Sequence, residues 1–302
     1  MKLHADPKPA PGLTMDLRMP LVEEKIRSLC AEPAQRDDIY QTALDGHLRA
    51  GGQRTRAHIS LSCSTALNLN QTDSIALAAS VELLHNASLV QDDLQDKATT
   101  RRGAATVWSE HGPDCAIGLT DLMIAAAFRA LGEISQPRAI PGLIENLYRA
   151  ISVTIRGQTD DLSGTAASLE GALSIARRKS GPLFALSLEL PLYLGGRHES
   201  LGYALEAAEA FGLGYQIYDD IVDLDEDRAV NSHGNTVLAL ESSLPPEEAR
   251  ASARLLARQY LETSASMARE LPLGSGRALS DLSSRIGDRL NDLFDVFDVF
   301  DV

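Results

Sequence analysis

Apolar residues recur every three or four positions along most of this chain, and that spacing is typical of α-helices. The alternation that marks β-strands is almost absent, and Gly and Pro occur mainly between the periodic stretches. The pattern predicts helices over 15–29, 37–48, 56–67, 114–131, 138–163, 169–194, 201–225, 246–270 and 276–293. It also predicts a long helix with Asp73 as its N-cap, and a turn at 101–103. The chain is therefore expected to be all-α.

The organisation along the chain favours one helical domain. No linker interrupts its middle, and 302 residues supply ample core for one large helical unit. We expect a flexible tail at 1–14 and the helical domain at 15–293. A low-complexity tail follows at 294–302, where Phe-Asp-Val is repeated three times.

Charge and cysteine content limit the classes of function. A net charge of −14 disfavours non-specific binding to nucleic acids or anionic membranes, so an anionic substrate would need local cations. Cys30, Cys63 and Cys115 have no metal-ligand spacing, and we expect them to be small buried side chains in a reducing compartment. No apolar run is long enough to span a bilayer, so we predict a cytoplasmic protein without stable membrane insertion.

Two clusters with the pattern Asp-Asp-x-x-Asp dominate the candidate chemistry. They are the first aspartate motif (Asp92, Asp93, Asp96) and the second aspartate motif (Asp219, Asp220, Asp223). Residues four apart share one face of a helix, about 6 Å apart along the axis, so each motif presents a pair of carboxylates. Mg²⁺ prefers carboxylate oxygens and bridges to substrate phosphates. A single acidic cluster is usually a solvated surface, but two copies in apolar surroundings predict a magnesium site that holds a diphosphate.

Positive residues occur where a magnesium-bound diphosphate would need them. Arg101 and Arg102 follow the first aspartate motif, and the planar guanidinium group suits phosphate oxygens. The glycine turn and arginines of 51–56 indicate a second anion pocket, and Lys179 ends the remaining basic segment, 177–179.

These motifs occur in an order that closely resembles trans-type isoprenyl diphosphate synthases. The order is Gly-Gly-x-Arg-x-Arg (51–56), Glu-x-x-His (82–85), the first aspartate motif, Arg-Arg-Gly (101–103), Gly-Gln-x-x-Asp-Leu (157–162), Lys-Ser-Gly (179–181) and Tyr-Gln before the second aspartate motif. The resemblance covers residues 46–227. It implies an all-helical bundle with a deep central cavity, usually homodimeric, that condenses an allylic diphosphate with isopentenyl diphosphate.

The resemblance also implies a role for each matching residue. Asp92, Asp96 and Asp219 would hold Mg²⁺, three ions once substrate is bound, and Asp93, Asp220 and Asp223 would support or extend that shell. Arg101 and Lys179 would grip the allylic diphosphate. Arg56, His85 and Arg102 would hold isopentenyl diphosphate, with Gln53 where the family usually has lysine. Gln158, Asp161 and Gln216 would line the reaction cavity.

The implied reaction needs no protein nucleophile. Magnesium and cationic side chains would stabilise the departing pyrophosphate, so that the carbon–oxygen bond breaks to an allylic cation. The carbonyl of Ser180 and the amide oxygen of Gln216 would stabilise that cation. The isopentenyl double bond would then attack, and a proton would leave to the pyrophosphate.

Three departures from the family pattern reduce the positive charge of the site. Gln53 replaces a lysine, no lysine occurs after Lys179, and the C-terminus is acidic. Only Arg228 or His233 could substitute for the lysines that usually follow the second aspartate motif. We therefore expect a working magnesium and allylic site with a weaker grip on isopentenyl diphosphate.

The residues before the first aspartate motif bear on product length. Ala87 and Ser88 lie about one turn before Asp92, and both are small, which predicts an open cavity floor. Leu84 and Val81 would be the next barriers, and Met123 and Phe128 the opposite wall. This favours a twenty-carbon product, geranylgeranyl diphosphate, over farnesyl diphosphate, and Ala87→Phe should shorten the product.

Two other functions stay open at this point. Terpene cyclases share the helical bundle and the ionisation step but need no isopentenyl site, and the missing lysines agree with that reading. Against it, the second aspartate motif is complete and Arg56, Arg101 and Arg102 are present. A modulatory partner subunit of another synthase is disfavoured because it would not need all six aspartates.

Overall fold

Long helices make up most of the computed structural model, which describes residues 16–31, 38–163, 168–229 and 234–295. In chain order, the helices are α1 (Met19–Cys30), α2 (Ile39–Arg49), α3 (Thr55–Ala66), α4 (Gln71–Gln95), α5 (Val107–His111), α6 (Pro113–Leu131), α7 (Ile140–Leu162), α8 (Leu169–Leu194), α9 (Leu201–Val222), α10 (Leu224–Ala229), α11 (Thr236–Glu241), α12 (Pro246–Arg269) and α13 (Arg277–Asp295). A short antiparallel hairpin joins β1 (Thr100–Arg101) to β2 (Ala104–Ala105). The prediction of an all-α helical bundle is confirmed.

Two hydrophobic clusters hold the helices together. The first joins α1, α2, α4, α6 and α7, and the second joins α9, α12 and α13; α3 and α8 contribute side chains to both. The helix α4 is buried around most of its circumference, which explains why its sequence is apolar beyond a single stripe. Because α8 belongs to both clusters, it fixes the α4 half of the molecule against the α9 half.

The start of α4 differs from the prediction. The N-cap is Asn70, whose side-chain oxygen accepts a hydrogen bond from the backbone N–H of Asp73 at 2.8 Å. Asp73 lies in the first turn, where its carboxylate accepts hydrogen bonds from the backbone N–H and the hydroxyl of Ser135 at 2.8 and 2.6 Å. The prediction of Asp73 as N-cap was wrong because both residues can cap, and only the contact with Ser135 decides between them.

Other differences concern short elements. The predicted turn at 101–103 is the tip of the β1–β2 hairpin, with Arg102 and Gly103 at positive φ. Three helices of five or six residues, α5, α10 and α11, carry too little periodicity to be predicted. The three cysteines are buried, as expected.

Some expectations fall on residues that the structure does not describe. The tail at 1–14 and His233 lie outside the described residues, as does the repeat from 296 onwards, whereas α13 extends to Asp295. The division into a domain and two tails therefore stays a prediction. Among the described helices, each is too short or too polar to cross a membrane.

Candidate active site

One cavity of about 380 Å³ brings the sequence motifs together. Its wall is built from α3, α4, α7, α8, α9 and α13, with the 52–54 loop and the β1–β2 hairpin. The predicted site residues that line it are Gln53, Arg56, His85, Ser88, Asp92, Arg101, Arg102, Gln158, Asp161, Lys179, Ser180, Gln216, Asp219, Asp220 and Asp223. Motif residues that are spread between positions 53 and 223 of the sequence thus meet in a space suited to a small ligand.

The first aspartate motif lies at the C-terminal end of α4, with Asp96 as the C-cap. Its middle residue, Asp93, is buried, and the Arg101 guanidinium holds it with Nε–H 3.0 Å from both carboxylate oxygens and Nη2 2.9 Å from Oδ1. Burial raises the pKa of Asp93, and the hydrogen bonds from Arg101 oppose that rise. Asp93 therefore anchors the β1–β2 hairpin to α4.

Asp92 occupies a different environment from Asp93. It lines the cavity, and burial raises its pKa to about 6, with Lys179 opposing the rise and Asp96 adding to it. Asp96 is not part of the described cavity wall, but it acts electrostatically on Asp92 and Lys179 from one turn further along. Negative charge at the C-terminus of a helix is unfavourable, so a cation between these groups would relieve both effects.

Lys179 is the cation with the largest electrostatic effect on Asp92. Its Nζ lies 2.9 Å from Oδ2 of Asp161, and both side chains line the cavity. Burial lowers the pKa of Lys179, but the charges of Asp92 and Asp161 outweigh that effect and raise it overall. Lys179 is therefore a permanent positive charge between α7 and α4.

The second aspartate motif repeats this division of roles at the end of α9. Asp220 is buried and accepts hydrogen bonds from the backbone N–H of Thr236 at 2.8 Å and from Nε2 of Gln216 at 3.0 Å. Burial raises the pKa of Asp220 to about 6, and these donors limit the rise. Asp219 and Asp223 also line the cavity.

The residues present fit Mg²⁺ by their chemistry. Aspartate oxygens are the donors that Mg²⁺ prefers, and the Asp92 carboxylate makes no hydrogen bond or ion pair within the described part of the chain. Among the described residues, no three acidic, histidine or cysteine side chains already form a cluster that could hold a metal. A diphosphate bridging the two motifs would supply the missing oxygens, since Mg²⁺ is usually bound by one or two carboxylates plus substrate phosphates.

A loop with left-handed backbone conformations forms another part of the cavity wall. Gly51, Gly52 and Arg54 all have positive φ, and a Cβ at Gly52 would lie only 2.5 Å from Nη1 of Arg102. Arg102 donates a hydrogen bond to the carbonyl of Gly51. Only glycine at position 52 lets the hairpin arginine pack against this loop.

Arg54, at the end of this loop, and Arg56, in the first turn of α3, have different partners. Arg54 also lines the cavity, but it is buried, pairs with Glu23 at 3.0 Å and donates to the carbonyl of Leu48 at 3.0 Å. Arg56 lines the cavity, and burial lowers its pKa to about 10, so it remains charged at neutral pH. Of the pair, Arg56 is the cation available to a ligand.

His85 is neutral in this setting. Burial, followed by the charges of Arg56, Arg102 and Arg101, lowers its pKa well below the usual range. Its imidazole can therefore offer a hydrogen bond to an anion but adds no charge. With Gln53 also uncharged, this end of the cavity has fewer cations than the family pattern implies.

A buried polar network that the sequence did not predict borders the cavity, whose wall includes Glu82 and Asn86. His47 on α2 contacts Oδ1 of Asn86 through Nε2 at 3.0 Å, and Nδ2 of Asn86 donates to the carbonyl of Glu82 at 2.7 Å. A carboxylate oxygen of Glu82 accepts from the backbone N–H of Ala57 at 3.3 Å. The network ties α2 and α3 to the face of α4 that carries His85. Glu82 belongs to the Glu-x-x-His motif (82–85), but no motif marks His47 or Asn86, and only the folded chain shows that the three are connected.

The predicted chain-length residues lie in different surroundings. Within the described residues, the wall includes Ser88 but not Ala87, Leu84, Met123 or Phe128. Ala87, Leu84 and Met123 are buried in the first hydrophobic cluster, and Phe128 packs against it. The reason is angular: on an ideal helix Ser88 is about 40° from Asp92 and Ala87 about 140°.

Other residues of the cavity wall carried no motif signal. Arg289 comes from α13 and forms a hydrogen bond with the Tyr218 phenol, beside Asp219 and Asp223. Arg289 is a positive residue near the second aspartate motif, where the sequence suggested only Arg228 or His233. Arg228 instead pairs with Glu241.

The chain is similar to known proteins over most of its length. Residues 37–236 match the family model described as polyprenyl synthetase. A geranylgeranyl pyrophosphate synthase of Geoglobus acetivorans is 34% identical over 218 residues, covering 68% of this chain and 66% of that protein. A probable farnesyl diphosphate synthase of Bradyrhizobium diazoefficiens is 34% identical over 224 residues, covering 69% and 66%. The chain thus spans just under two thirds of the length of these two curated relatives.

Solved structures give a longer match. The geranylgeranyl pyrophosphate synthetase of Geoglobus acetivorans superposes with a TM-score of 0.80 at 27% identity, covering 90% of this chain and 98% of that one. Because it covers 90% of the chain, the structural likeness extends beyond residues 37–236, the segment matched by the family model.

Proposed function

We propose, from the premise that the chain belongs to the polyprenyl synthetase family, that it is a magnesium-dependent prenyltransferase. Its substrates are an allylic diphosphate and isopentenyl diphosphate, joined by ionisation, condensation and elimination. The observation that carries the proposal is the meeting of both aspartate motifs, Lys179 and Arg56 in the wall of one cavity.

The allylic diphosphate binds at the end of the cavity where the two aspartate motifs lie. Asp92, Asp96, Asp219 and Asp223 would hold Mg²⁺, which when bound supplies positive charge for the departing pyrophosphate. Lys179 adds a fixed cation there, and the Asp93 contact with Arg101 keeps that guanidinium at the same end. Asp220 serves to fix the end of α9 rather than to bind metal.

Isopentenyl diphosphate binds at the loop end of the cavity. Arg56 and Arg102 provide charge, and Gln53 and neutral His85 provide hydrogen bonds. As the carbon–oxygen bond of the allylic substrate breaks, the carbonyl of Ser180 and the amide oxygen of Gln216 stabilise the allylic cation. The Gln216 NH₂ group is committed to Asp220, so its oxygen is the group that it offers. The isopentenyl double bond then attacks, and the released pyrophosphate accepts the proton.

Product analysis of the purified protein tests this proposal. It is incubated with Mg²⁺ and farnesyl or geranyl diphosphate, with and without isopentenyl diphosphate. A longer diphosphate formed only when both substrates are present is expected. Hydrocarbon or alcohol formed equally without isopentenyl diphosphate would instead indicate a cyclase, and no reaction with either substrate would favour a modulatory subunit.

The second-substrate end has its own test, Gln53→Lys. Restoring a cation beside Arg56 should lower the KM for isopentenyl diphosphate by about tenfold, since a charge-assisted hydrogen bond is roughly twice as strong as a neutral one. The KM for the allylic substrate should not change. An unchanged KM for isopentenyl diphosphate would contradict the inference that its binding site lacks positive charge.

We further propose that the product has twenty carbons, that the protein is a homodimer and that it is cytoplasmic. The small Ser88 in the cavity wall supports the product length, as does the name of the Geoglobus relative. Ile144, Tyr148 and Ile155 form an exposed apolar stripe along α7, which supports self-association. Sedimentation analysis tests the dimer, and chromatography of dephosphorylated products tests the length.

A further inference from the structure

Arg56 is held in the cavity by an aromatic ring. Its guanidinium carbon lies 3.7 Å from the centroid of the Phe184 ring. Within the described residues, Arg56 has no ion pair with a carboxylate, and its Nε is buried without a hydrogen-bond partner. The neighbouring cations differ: Arg54 pairs with Glu23, Arg101 with Asp93 and Lys179 with Asp161.

The ring beneath Arg56 is itself fixed. Phe184 lies on α8, five residues after Lys179, and only 6% of its surface is exposed. It makes an edge-to-face contact with Phe211 of α9, at 4.7 Å between centroids and 80° between planes. Phe211 is in turn 5.8 Å from Tyr215. Because these rings belong to two packed helices, the face that Phe184 presents to Arg56 cannot move far.

An aromatic partner affects a cation differently from a carboxylate. The ring quadrupole attracts the guanidinium, but it carries no net charge and leaves the full positive charge for a ligand. A carboxylate at the same place would fix the side chain and also repel a diphosphate. The distinction matters here because Gln53 and His85, which line the same cavity, are uncharged.

We propose that Phe184 is a positioning residue for the second substrate, which holds Arg56 by its ring face in the orientation that receives the diphosphate of isopentenyl diphosphate. The inference rests on the proposed function for the identity of that substrate. The role of Phe184 is specific to one end of the cavity, since its ring lies under Arg56, whereas the allylic end depends on the aspartate motifs and Lys179.

Substitutions of Phe184 separate the effect of its aromatic ring from the effect of its side-chain volume. Phe184→Leu and Phe184→Met keep an apolar side chain but remove the ring, and the KM for isopentenyl diphosphate should rise about tenfold, within the range measured for partly buried cation–π contacts. Phe184→Tyr keeps the ring and should retain the wild-type KM to within about twofold. The KM for the allylic substrate, and its slow hydrolysis without isopentenyl diphosphate, should not change in any of them.

A matched control separates this role from general loss of packing. Leu188 lies one turn further along α8 in the same hydrophobic cluster, is fully buried and is not part of the described cavity wall. Leu188→Ala should lower the melting temperature at least as much as Phe184→Leu, yet leave the isopentenyl KM unchanged. Equal increases in both KM values in Phe184→Leu, or a defect in Phe184→Tyr as large as that in Phe184→Leu, would overturn the proposal.

A double-mutant cycle with Arg56→Lys adds a second test. If Phe184 acts through Arg56, Phe184→Leu should have little further effect on the isopentenyl KM once Arg56 is lysine, because the stacked planar group is already gone. Effects that multiply independently would contradict the mechanism.

Binding without turnover distinguishes failure of this inference from failure of the proposed function. Isopentenyl diphosphate is titrated calorimetrically into the protein in the presence of EDTA, which suppresses metal-dependent binding at the aspartate motifs. About tenfold weaker binding to Phe184→Leu than to wild type or Phe184→Tyr supports the role of the ring even if no condensation occurs. Equal binding by all three proteins would sink it even if the wild type is an active synthase.

Discussion

The two aspartate motifs have the same sequence pattern but are anchored by different chemistry. In the first, the buried middle carboxylate, Asp93, is held by a guanidinium, that of Arg101. In the second, the buried middle carboxylate, Asp220, is held by neutral groups, the backbone N–H of Thr236 and the amide of Gln216. Each motif therefore uses its middle aspartate as an anchor, while Asp92, Asp219 and Asp223 line the cavity.

The two anchors differ in whether they use a positively charged side chain. Arg101 belongs to a short hairpin outside the helical bundle, and the ion pair with Asp93 fixes it at the cavity. The second motif uses no cation for this purpose. Asn235 braces it instead, donating to the carbonyl of Asp220 at 2.8 Å and capping α11. The same sequence motif can thus be built into a fold with or without a structural cation.

The largest expected effect comes from the aspartates in the cavity wall. Asp92→Asn and Asp219→Asn should each reduce kcat/KM for condensation by about a thousandfold or more, because metal-derived charge stabilisation is worth several kcal/mol. Asp92→Asn should not lower the free energy of unfolding, since burial already disfavours the charge of Asp92. Steady-state kinetics and denaturant titration measure the two quantities. Asp225→Asn, at a highly exposed position nearby, is the control.

For the middle aspartates, Asp93 and Asp220, we expect the main effect of substitution to be a loss of stability. Asp93→Asn removes one partner of a buried ion pair and should cost about 3–5 kcal/mol of unfolding free energy. Asp220→Asn loses hydrogen bonds from neutral donors and should cost about 1–3 kcal/mol. Urea unfolding of both variants compares them directly. Equal losses would mean that the charge of Arg101 does not distinguish the two anchors.

Acidification should weaken the contact between His47 and Asn86 of α4, whereas the Asn235 brace of the second motif does not titrate. Burial lowers the pKa of His47 to about 4, against 6.5 for an exposed histidine. The unfolded chain therefore binds the proton first, and His47 contributes stability above pH 6.5 that is lost as the pH falls towards 4, by at most about 3 kcal/mol. Between pH 7 and pH 4.5, the free energy of unfolding should fall less steeply in His47→Gln than in the wild type. An identical slope in both proteins would argue against this brace.

The smallest effect on stability is expected at Ser88, one turn before the first motif. Ser88 is half-buried in the cavity wall, so Ser88→Phe should place a ring across the cavity and shorten the product. Ala87→Phe should instead disturb the first hydrophobic cluster and cost about 1–3 kcal/mol without this selective change. Chromatography of the products of the two variants decides whether Ser88 or Ala87 forms the cavity floor that limits product length.

Much of the site could be predicted from the sequence because helical spacing is local. The pattern Asp-Asp-x-x-Asp puts the first and last aspartates of each motif on one helix face wherever the helix packs. The assignment of Ala87 to the floor stays a prediction: a spacing of five residues turns its side chain by about 140° from Asp92, and Ala87 is buried in the first hydrophobic cluster. Arg289 was missed because α13 carries no motif, and only packing against α9 brings it beside Tyr218.

The sequence by itself determined the helical class, the two aspartate motifs and the order of basic residues, because periodicity and short motifs depend on neighbours along the chain. Only the tertiary structure decided which carboxylates are anchors, which arginines are committed to ion pairs and which remain for a ligand. Arg54 and Arg56 illustrate the point: they are two residues apart in one motif, yet one is buried against Glu23 and the other lies over Phe184. Those partners come from other helices, and contacts between distant segments cannot be deduced from local spacing.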